Sequence, residues 1–384
     1  MVHEELNPVD LVIIQPTPFC NINCSYCYLS DRGNKKRITF DTVDAIANFL
    51  CNVPVANPPL KVVWHAGEPL VIPVSFYERA FRCFTLIPET PKVQHCFQTN
   101  ATTINDEWCD LFKRWSVHIG VSVDGPRQIH DIHRVDRSGR GTFDRVMRGI
   151  SKLRQHEVPF SVISVLTKES LSAPDEIWGF YRSNGITEVA FNVDEQEGAN
   201  SVSTLEPSEH LTQFRKFMSR IADLQETDRT IHVRELDNMR RRLIAPPGAE
   251  VAKSDNRPGA ILNIDTDGNL TTFSPELLGE IHPTYGRFAW ANVHVDSWEQ
   301  LGQNVQFQHA NADIKAGVDL CRQKCPYFTV CGGGCPSNKL AEHSTFVAAE
   351  TKWCRFHIQA VADVVLERLE RQISRPPTLF HLDN

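Results

Sequence analysis

From residue 11 to residue 193 the chain alternates short runs rich in Val, Ile and Phe with longer helix-like stretches, and no other feature limits its fold so sharply. The predicted strands are Leu11–Thr17, Leu60–His65, Val93–Thr99, Ser116–Val123, Phe160–Thr167 and Glu188–Val193. Between them the pattern predicts helices over roughly Phe40–Cys51, Pro73–Leu86, Asp106–Trp115, Phe143–Glu157 and Ser172–Asn184. Thr39, Ser75 and Asn105 are suited to helix starts, and Asn184-Gly185 to a helix stop. Repeats of this length call for parallel strands joined by right-handed crossovers. Six such units make an α/β fold of the partial (β/α)6 barrel type.

Length and charge narrow the function. A chain of 384 residues is ample for a large core and leaves room for an appended unit. Its net charge is −7, with both signs interspersed, so no electrostatic case exists for nucleic acid. Lys35-Lys36-Arg37 and Arg240-Arg241-Arg242 are short basic runs of the kind found on solvated faces. No export signal opens the chain and no apolar run approaches the roughly eighteen residues a membrane span needs. Twelve cysteines on such a chain favour metal ligation in a reducing cytoplasm over disulfides.

Three of those cysteines, Cys20, Cys24 and Cys27, follow the first predicted strand on one short loop. CxxxCxxC spacing offers three soft thiolates, enough to hold three irons of a [4Fe–4S] cubane and leave the fourth iron without a protein ligand. An open metal position is where chemistry happens. The alternative is a zinc knuckle or three buried cysteines. Zinc sites usually pair CxxC with a second pair nearby, and none follows within about sixty residues.

Ligands on parallel α/β scaffolds sit at the carboxyl ends of the strands. The conspicuous polar residues fall there. Strand two runs into Trp64-His65-Ala66-Gly67-Glu68-Pro69, strand three ends in Gln98-Thr99-Asn100, and strand four in Ser122-Val123-Asp124-Gly125. Asn192, Asp194, Glu195 and Glu197 close strand six, either at the barrel mouth or as a solvated acidic loop. His130, Asp131, His133 and Arg134 read as a polar loop leaving strand four rather than as a metal site.

With Tyr26 before the third cysteine, this set resembles the radical S-adenosyl-L-methionine (SAM) enzymes, in which the open iron chelates SAM. Ala66 replaces the first glycine of that family's GGEP motif. The resemblance implies that Gly67 lets the backbone approach the ligand and that the Glu68-Pro69 segment accepts bonds from the ammonium of SAM. It also implies that Ser122 and Asp124 contact SAM, that Asn100 lines its cavity, and that Arg134 reaches SAM or substrate.

A second set follows far downstream: Cys321-x3-Cys325-x5-Cys331-x3-Cys335 and then Cys354, wrapped around Gly332-Gly333-Gly334. It reads as a second iron–sulfur site, with structural zinc as the alternative. Cys51, Cys83, Cys96 and Cys109 lack ligand-like spacing and read as small core residues. The arrangement resembles the SPASM extension, which binds auxiliary [4Fe–4S] clusters behind radical SAM cores. By that resemblance residues 1–235 form the core and 236–384 the extension. Cys321, Cys325, Cys331 and Cys354 would hold one auxiliary cluster. Ile261–Phe273 looks like the hairpin that supplies ligands to another, with Asp267-Gly268 at its turn. Since Ser274 stands at a ligand position, that other cluster is expected to be absent, leaving Cys335 as a spare thiol.

The stretches Gln15-Pro16-Thr17-Pro18-Phe19-Cys20, Val63-Trp64-His65-Ala66-Gly67-Glu68-Pro69-Leu70 and Thr272-Phe273-Ser274-Pro275-Glu276-Leu277-Leu278-Gly279 look like the GrrM/OscB subgroup of peptide maturases. The resemblance implies three-residue cyclophane crosslinks in a ribosomally synthesised precursor peptide, each joining an aromatic ring carbon to the β-carbon two residues downstream. A 5′-deoxyadenosyl radical would start the reaction and the auxiliary cluster would take up an electron or anchor the substrate. A flavodoxin- or ferredoxin-type protein would donate the starting electron, and Glu276 is the candidate base. Cys20 lies so early, and the tail ends so near Cys354, that no fused peptide-recognition domain is expected. The rival readings are a sulfatase-maturase-like enzyme that makes formylglycine, which Pro275 after Ser274 argues against, and a non-enzymatic iron–sulfur or zinc-binding protein.

Overall fold

The computed structural model describes residues 6–86, 91–246, 251 and 253–374. Its centre is a sheet of ten strands. We number the strands in chain order as β1 (Leu11–Ile14), β2 (Leu60–Trp64), β3 (Val93–Thr99), β4 (His118–Ser122), β5 (Phe160–Leu166), β6 (Glu188–Val193) and β7 (His232–Val233). They continue as β8 (Ile261–Ile264), β9 (Asn269–Thr272), β10 (Ile281–His282), β11 (Gly286–Arg287) and β12 (Ala291–Asn292). The order is β12-β9-β8-β1-β2-β3-β4-β5-β6-β7, and β1 to β6 lie side by side in sequence order, all parallel. This is the partial barrel that the alternation predicts.

The predicted 261–273 hairpin is present as β8 and β9, and it joins the barrel sheet. β8 runs parallel to β1, pairing Leu11 with Ile261 through to Ile14 with Ile264, while β9 returns antiparallel. The Asp265 side chain holds its turn by accepting from Asp267 N and Asn269 N, at 2.8 and 3.0 Å. C-terminal residues are thereby carried to the edge of the strand that launches the first cysteine loop.

Three local expectations change. β1 stops at Ile14 rather than Thr17, because Pro16 and Pro18 have no N–H to extend the ladder. Ser75 does not start a helix, since the helix Val74–Leu86 begins one residue earlier, whereas Thr39 and Asn105 do cap, accepting from Thr42 N and Trp108 N. The segment expected as a polar loop after β4 is the helix Arg127–His133. Its His130 bonds Thr142 Oγ1 at 3.0 Å, and its His133 bonds Ser25 Oγ at 2.7 Å and Glu169 at 3.2 Å.

Between the sheet and the helices Val74–Leu86 and Asp106–Arg114, Trp64, Tyr77, Phe81, Phe97, Trp108 and Phe112 form one buried aromatic cluster. Burial of each such ring contributes on the order of 2–3 kcal/mol. That rigid wall stands behind the loops that carry the polar residues of β2 and β3. No described helix is long and apolar enough to cross a membrane.

Candidate active site

A cavity of about 270 Å³ opens at the carboxyl ends of the strands, and Cys20, Cys24 and Cys27 share its wall. Two donors point at their sulfurs: Asn100 Nδ2 lies 3.8 Å from Cys20 Sγ and Arg134 Nη1 lies 3.8 Å from Cys24 Sγ. Burial pushes the Cys20 thiol up to about 12, with Glu68 adding to the effect, and the Cys24 thiol up to about 11 against the pull of Arg134. A coordinating metal deprotonates such thiols outright. Three thiols on one loop with donors behind them suit a cubane. Among the described residues no three His, Cys, Asp or Glu side chains converge as ligands of a single ion; in a cubane each thiolate holds a different iron.

The turn after β2 explains its glycine. Ala66 and Gly67 both have positive φ, 65° and 112°, and a Cβ on Gly67 would meet the Thr17 carbonyl at 2.2 Å. Gly67 therefore lets this turn close onto the start of the cysteine loop, and it lines the cavity beside His65. Glu68 also lines the cavity, and its carboxylate is held in place by the protein. It accepts from Leu70 N at 2.9 Å, Thr99 Oγ1 at 2.6 Å and Asn100 N at 2.8 Å. Burial nonetheless pushes it up to about 7. The residue thus locks the ends of β2 and β3 together. Pro69 starts the short helical turn Pro69–Val71, and its carbonyl accepts from Tyr77 Oη at 2.8 Å.

Asp124 lies behind the cavity wall. It is 2% exposed, accepts from Arg134 Nε at 2.9 Å and Val165 N at 3.0 Å, and receives the Tyr26 hydroxyl. Burial opposes its ionisation, but Arg134, His130 and the Tyr26 hydroxyl outweigh that and hold its pKa below the usual carboxylate range. What faces the cavity is what Asp124 positions, namely Tyr26 and Arg134. Ser122 and Asn100 line it as well. Gln98 donates to Ser122 Oγ at 2.9 Å, and Asn100 donates to Asn21 at 2.8 Å.

The far wall is acidic. Asn192, Asp194, Glu195 and Glu197 from the end of β6 face the cavity, and Glu276 arrives from the segment after β9. Asn338 Nδ2 bridges Glu195 and Glu197 at 2.6 and 2.7 Å. Burial raises the pKa of all three glutamates, that of Glu276 to about 7. A neighbouring cavity of about 260 Å³ shares Tyr28, Leu29 and Glu276 with the first.

The C-terminal cysteines come from separate elements. Cys321 lies in the helix Val305–Lys324 and Cys325 caps it; Cys331 ends the turn Phe328–Cys331; Cys354 opens a π-helical stretch, Cys354–Ala360. Gly332, Gly333 and Gly334 take φ of 75°, 108° and 77°, and a Cβ on Gly332 would strike the Val251 carbonyl at 2.2 Å. Gly334 N donates to Cys331 Sγ at 3.3 Å and Thr351 Oγ1 to Cys354 Sγ at 3.1 Å. Cys335 turns elsewhere. Its sulfur meets Ser274 Oγ at 3.4 Å and Ser337 Oγ at 3.1 Å.

Sequence reasoning singled out neither His65, inside the Trp64–Pro69 run, nor Tyr28, directly after the third cysteine. Both line the cavity, and His65 Nδ1 and Tyr28 Oη have no hydrogen-bond partner. Burial lowers the His65 pKa to about 4, so its ring is neutral. Asn338 was also missed; its signal was a position three residues past Cys335.

Three thiols on the loop after the first strand of a parallel sheet, at the wall of a cavity over the strand ends, define an enzyme core built to hold a cubane with one open corner. The chain belongs to the radical SAM superfamily, whose pattern matches residues 14–178. It is 41% identical over 372 residues to an uncharacterized protein of Synechocystis sp., covering 95% of this chain and 93% of that one. It is 23% identical over 356 residues to the serine-type anaerobic sulfatase-maturating enzyme of Bacteroides thetaiotaomicron, covering 86% and 83%. Among solved structures the fold matches anSMEcpe with bound AdoMet and Cp18Cys peptide, with a TM-score of 0.76, 18% identity and coverage of 95% and 99%. It also matches Streptococcus suis SuiB bound to precursor peptide SuiA, with a TM-score of 0.63, 15% identity and coverage of 92% and 77%.

Proposed function

We propose that the protein is a peptide maturase that forms three-residue cyclophane crosslinks in a ribosomally synthesised precursor. Peptide substrates are supported by two relatives of the same fold whose structures hold peptides. When bound, a cluster on Cys20, Cys24 and Cys27 with SAM supplies a 5′-deoxyadenosyl radical, and a second on Cys321, Cys325, Cys331 and Cys354 supplies an acceptor for one electron.

The remaining work belongs to the chain. The Asp124 frame holds Tyr26 and Arg134 against the first thiols, and the aromatic wall behind β2 and β3 keeps the cavity rigid. Joining the cavity to its neighbour past Tyr28 and Leu29 gives an extended peptide a path to the reacting position. Glu276, at that junction, takes the ring proton lost as aromaticity returns. A carboxyl held near 7 by burial serves as acceptor and releases the proton again near neutral pH.

The observation that carries this reading over a sulfatase-maturase-like one is the contact between Ser274 and Cys335. The resemblance assigns both positions to a first auxiliary cluster; here they satisfy each other, and Pro275 and Glu276 follow. Formylglycine formation remains the competing reading, favoured by the sulfatase-maturating relatives. Coexpression with the precursor tests both. Each crosslink removes two hydrogens, as does formylglycine from Ser, so fragmentation decides. We expect no backbone fragments within the three-residue span and no reaction with hydrazine. Uninterrupted fragments and a hydrazone would overturn the cyclophane reading.

A further inference from the structure

Lys339, on the helix Pro336–His343, is 2% exposed. Its ammonium donates to the Gly317 carbonyl at 2.9 Å. That carbonyl belongs to the helical turn that carries Cys321, and the ammonium stands against the Cys321 sulfur. Gly334 packs near both the lysine and Cys354. The point where a Cβ would project from Gly334 lies 3.4 Å from Lys339 Cε and 3.5 Å from Cys354 Sγ. Gly317 itself is held close to the chain, since a Cβ there would strike the Phe346 carbonyl at 2.1 Å and come within 3.2 Å of Lys339 Nζ.

Among the described residues the ion pairs around this site leave Lys339 out. Lys253 pairs with Asp255 at 3.1 Å, Lys352 with Glu206 at 2.7 Å and Arg355 with Glu350 at 2.8 Å. A buried ammonium without an anion is strongly disfavoured. The sulfurs beside it become its anion once they ligate iron as thiolates. A four-thiolate [4Fe–4S] cluster is negative in both of its usual oxidation states, and more so when reduced, so a fixed cation beside it favours the reduced form.

We propose that Lys339 is the counter-charge of the auxiliary cluster and raises its reduction potential, making it a one-electron acceptor. The assignment rests on Cys321, Cys325, Cys331 and Cys354 being the ligands. Lys253 provides the contrast: its ammonium also lies over the Trp353 ring at 4.4 Å, but Asp255 already meets its charge.

The test uses the full-length chain with Cys20, Cys24 and Cys27 replaced by Ala, reconstituted anaerobically so that the auxiliary cluster alone is titrated by EPR against potential. In that background Lys339→Met should keep about four irons. Its reduced-to-oxidised ratio at a fixed potential should fall at least tenfold, which is 59 mV for a one-electron couple. Lys339→Arg should stay near the parent and Lys253→Met should shift less than Lys339→Met. An unchanged midpoint in Lys339→Met with full iron would overturn the proposal. If Lys339→Met loses iron, retention in Lys339→Arg upholds the charge requirement and loss in both overturns it. A parent without a four-iron cluster overturns the ligand assignment itself, and this proposal with it.

Discussion

At the N-terminal site three thiols sit on one loop at the wall of a cavity, whereas the C-terminal thiols come from separate elements folded around three left-handed glycines. The counter-charges differ in the same way. Arg134, which reaches Cys24, is itself neutralised by Asp124, while Lys339 beside Cys321 pairs with no described carboxylate. The first site is held in shape by the Asp124, Arg134 and Tyr26 network and keeps one side open to a ligand. The second is closed and keeps a cation that only its cluster would satisfy. A site for chemistry needs an open position and a preset frame, and a site for electrons needs enclosure and a tuned charge.

The largest effect should come from removing ligands. We expect about eight irons per reconstituted chain, falling to about four in the Cys20/Cys24/Cys27→Ala variant, with SAM cleavage abolished. Cys331→Ala or Cys354→Ala should also leave about four irons but retain SAM cleavage. Iron and cleavage assays on the same preparations check both, and a triple variant with full iron would erase the contrast.

The frame comes next. Asp124→Ala strands the buried Arg134 guanidinium, and we expect a loss of about 3–5 kcal/mol in denaturant unfolding. Tyr26→Phe removes one hydrogen bond and leaves the ion pair, so about 1 kcal/mol is expected. Equal losses in the two variants would show that the ion pair does not organise the first site.

Glu276 sharpens the comparison through pH. Its folded-state pKa is raised to about 7 from 4.5, so the folded chain binds the proton more tightly than the unfolded one. Its contribution to stability is present below the unfolded value and is lost as pH rises through about 7. Glu276→Gln should therefore be more stable than the parent at pH 8 and equal to it at pH 4. Crosslinking by the parent should fall as pH drops below about 7, and that limb should vanish with the residual rate of the variant. The smallest effect is expected from Cys335→Ala, whose thiol hydrogen-bonds the Ser274 and Ser337 hydroxyls and no backbone group among the described residues: full iron and an unchanged melting temperature.

Much of this layout was legible beforehand. β3 and β6 fall on their predicted residues, and the 261–273 hairpin is where the SPASM resemblance, with Asp267-Gly268 at the turn, implied it. Local chemistry sets those features, through alternation, turn residues and caps. Helix Pro207–Thr227 was not singled out although Phe214, Phe217, Met218 and Ile221 give it an apolar stripe at helical spacing; Arg234–Leu243 was missed and the His130 segment read as a loop because short polar helices owe their stability to neighbours rather than to their own pattern.

The sequence alone determined the parallel scaffold, the three-thiol loop and the order of polar residues along the strand ends, because each depends on spacing within a few residues. Only the tertiary structure decided what those residues do to one another. It tied Glu68 and Asp124 into hydrogen-bonded framework, brought Ser274 to Cys335 across 61 residues, carried Glu276 to the cavity, and buried Lys339 against the helical turn that carries Cys321. Each of these outcomes rests on which groups find partners when distant segments pack. Burial makes an unpartnered charge so unfavourable that those pairings, which no local pattern encodes, set the chemistry of the site.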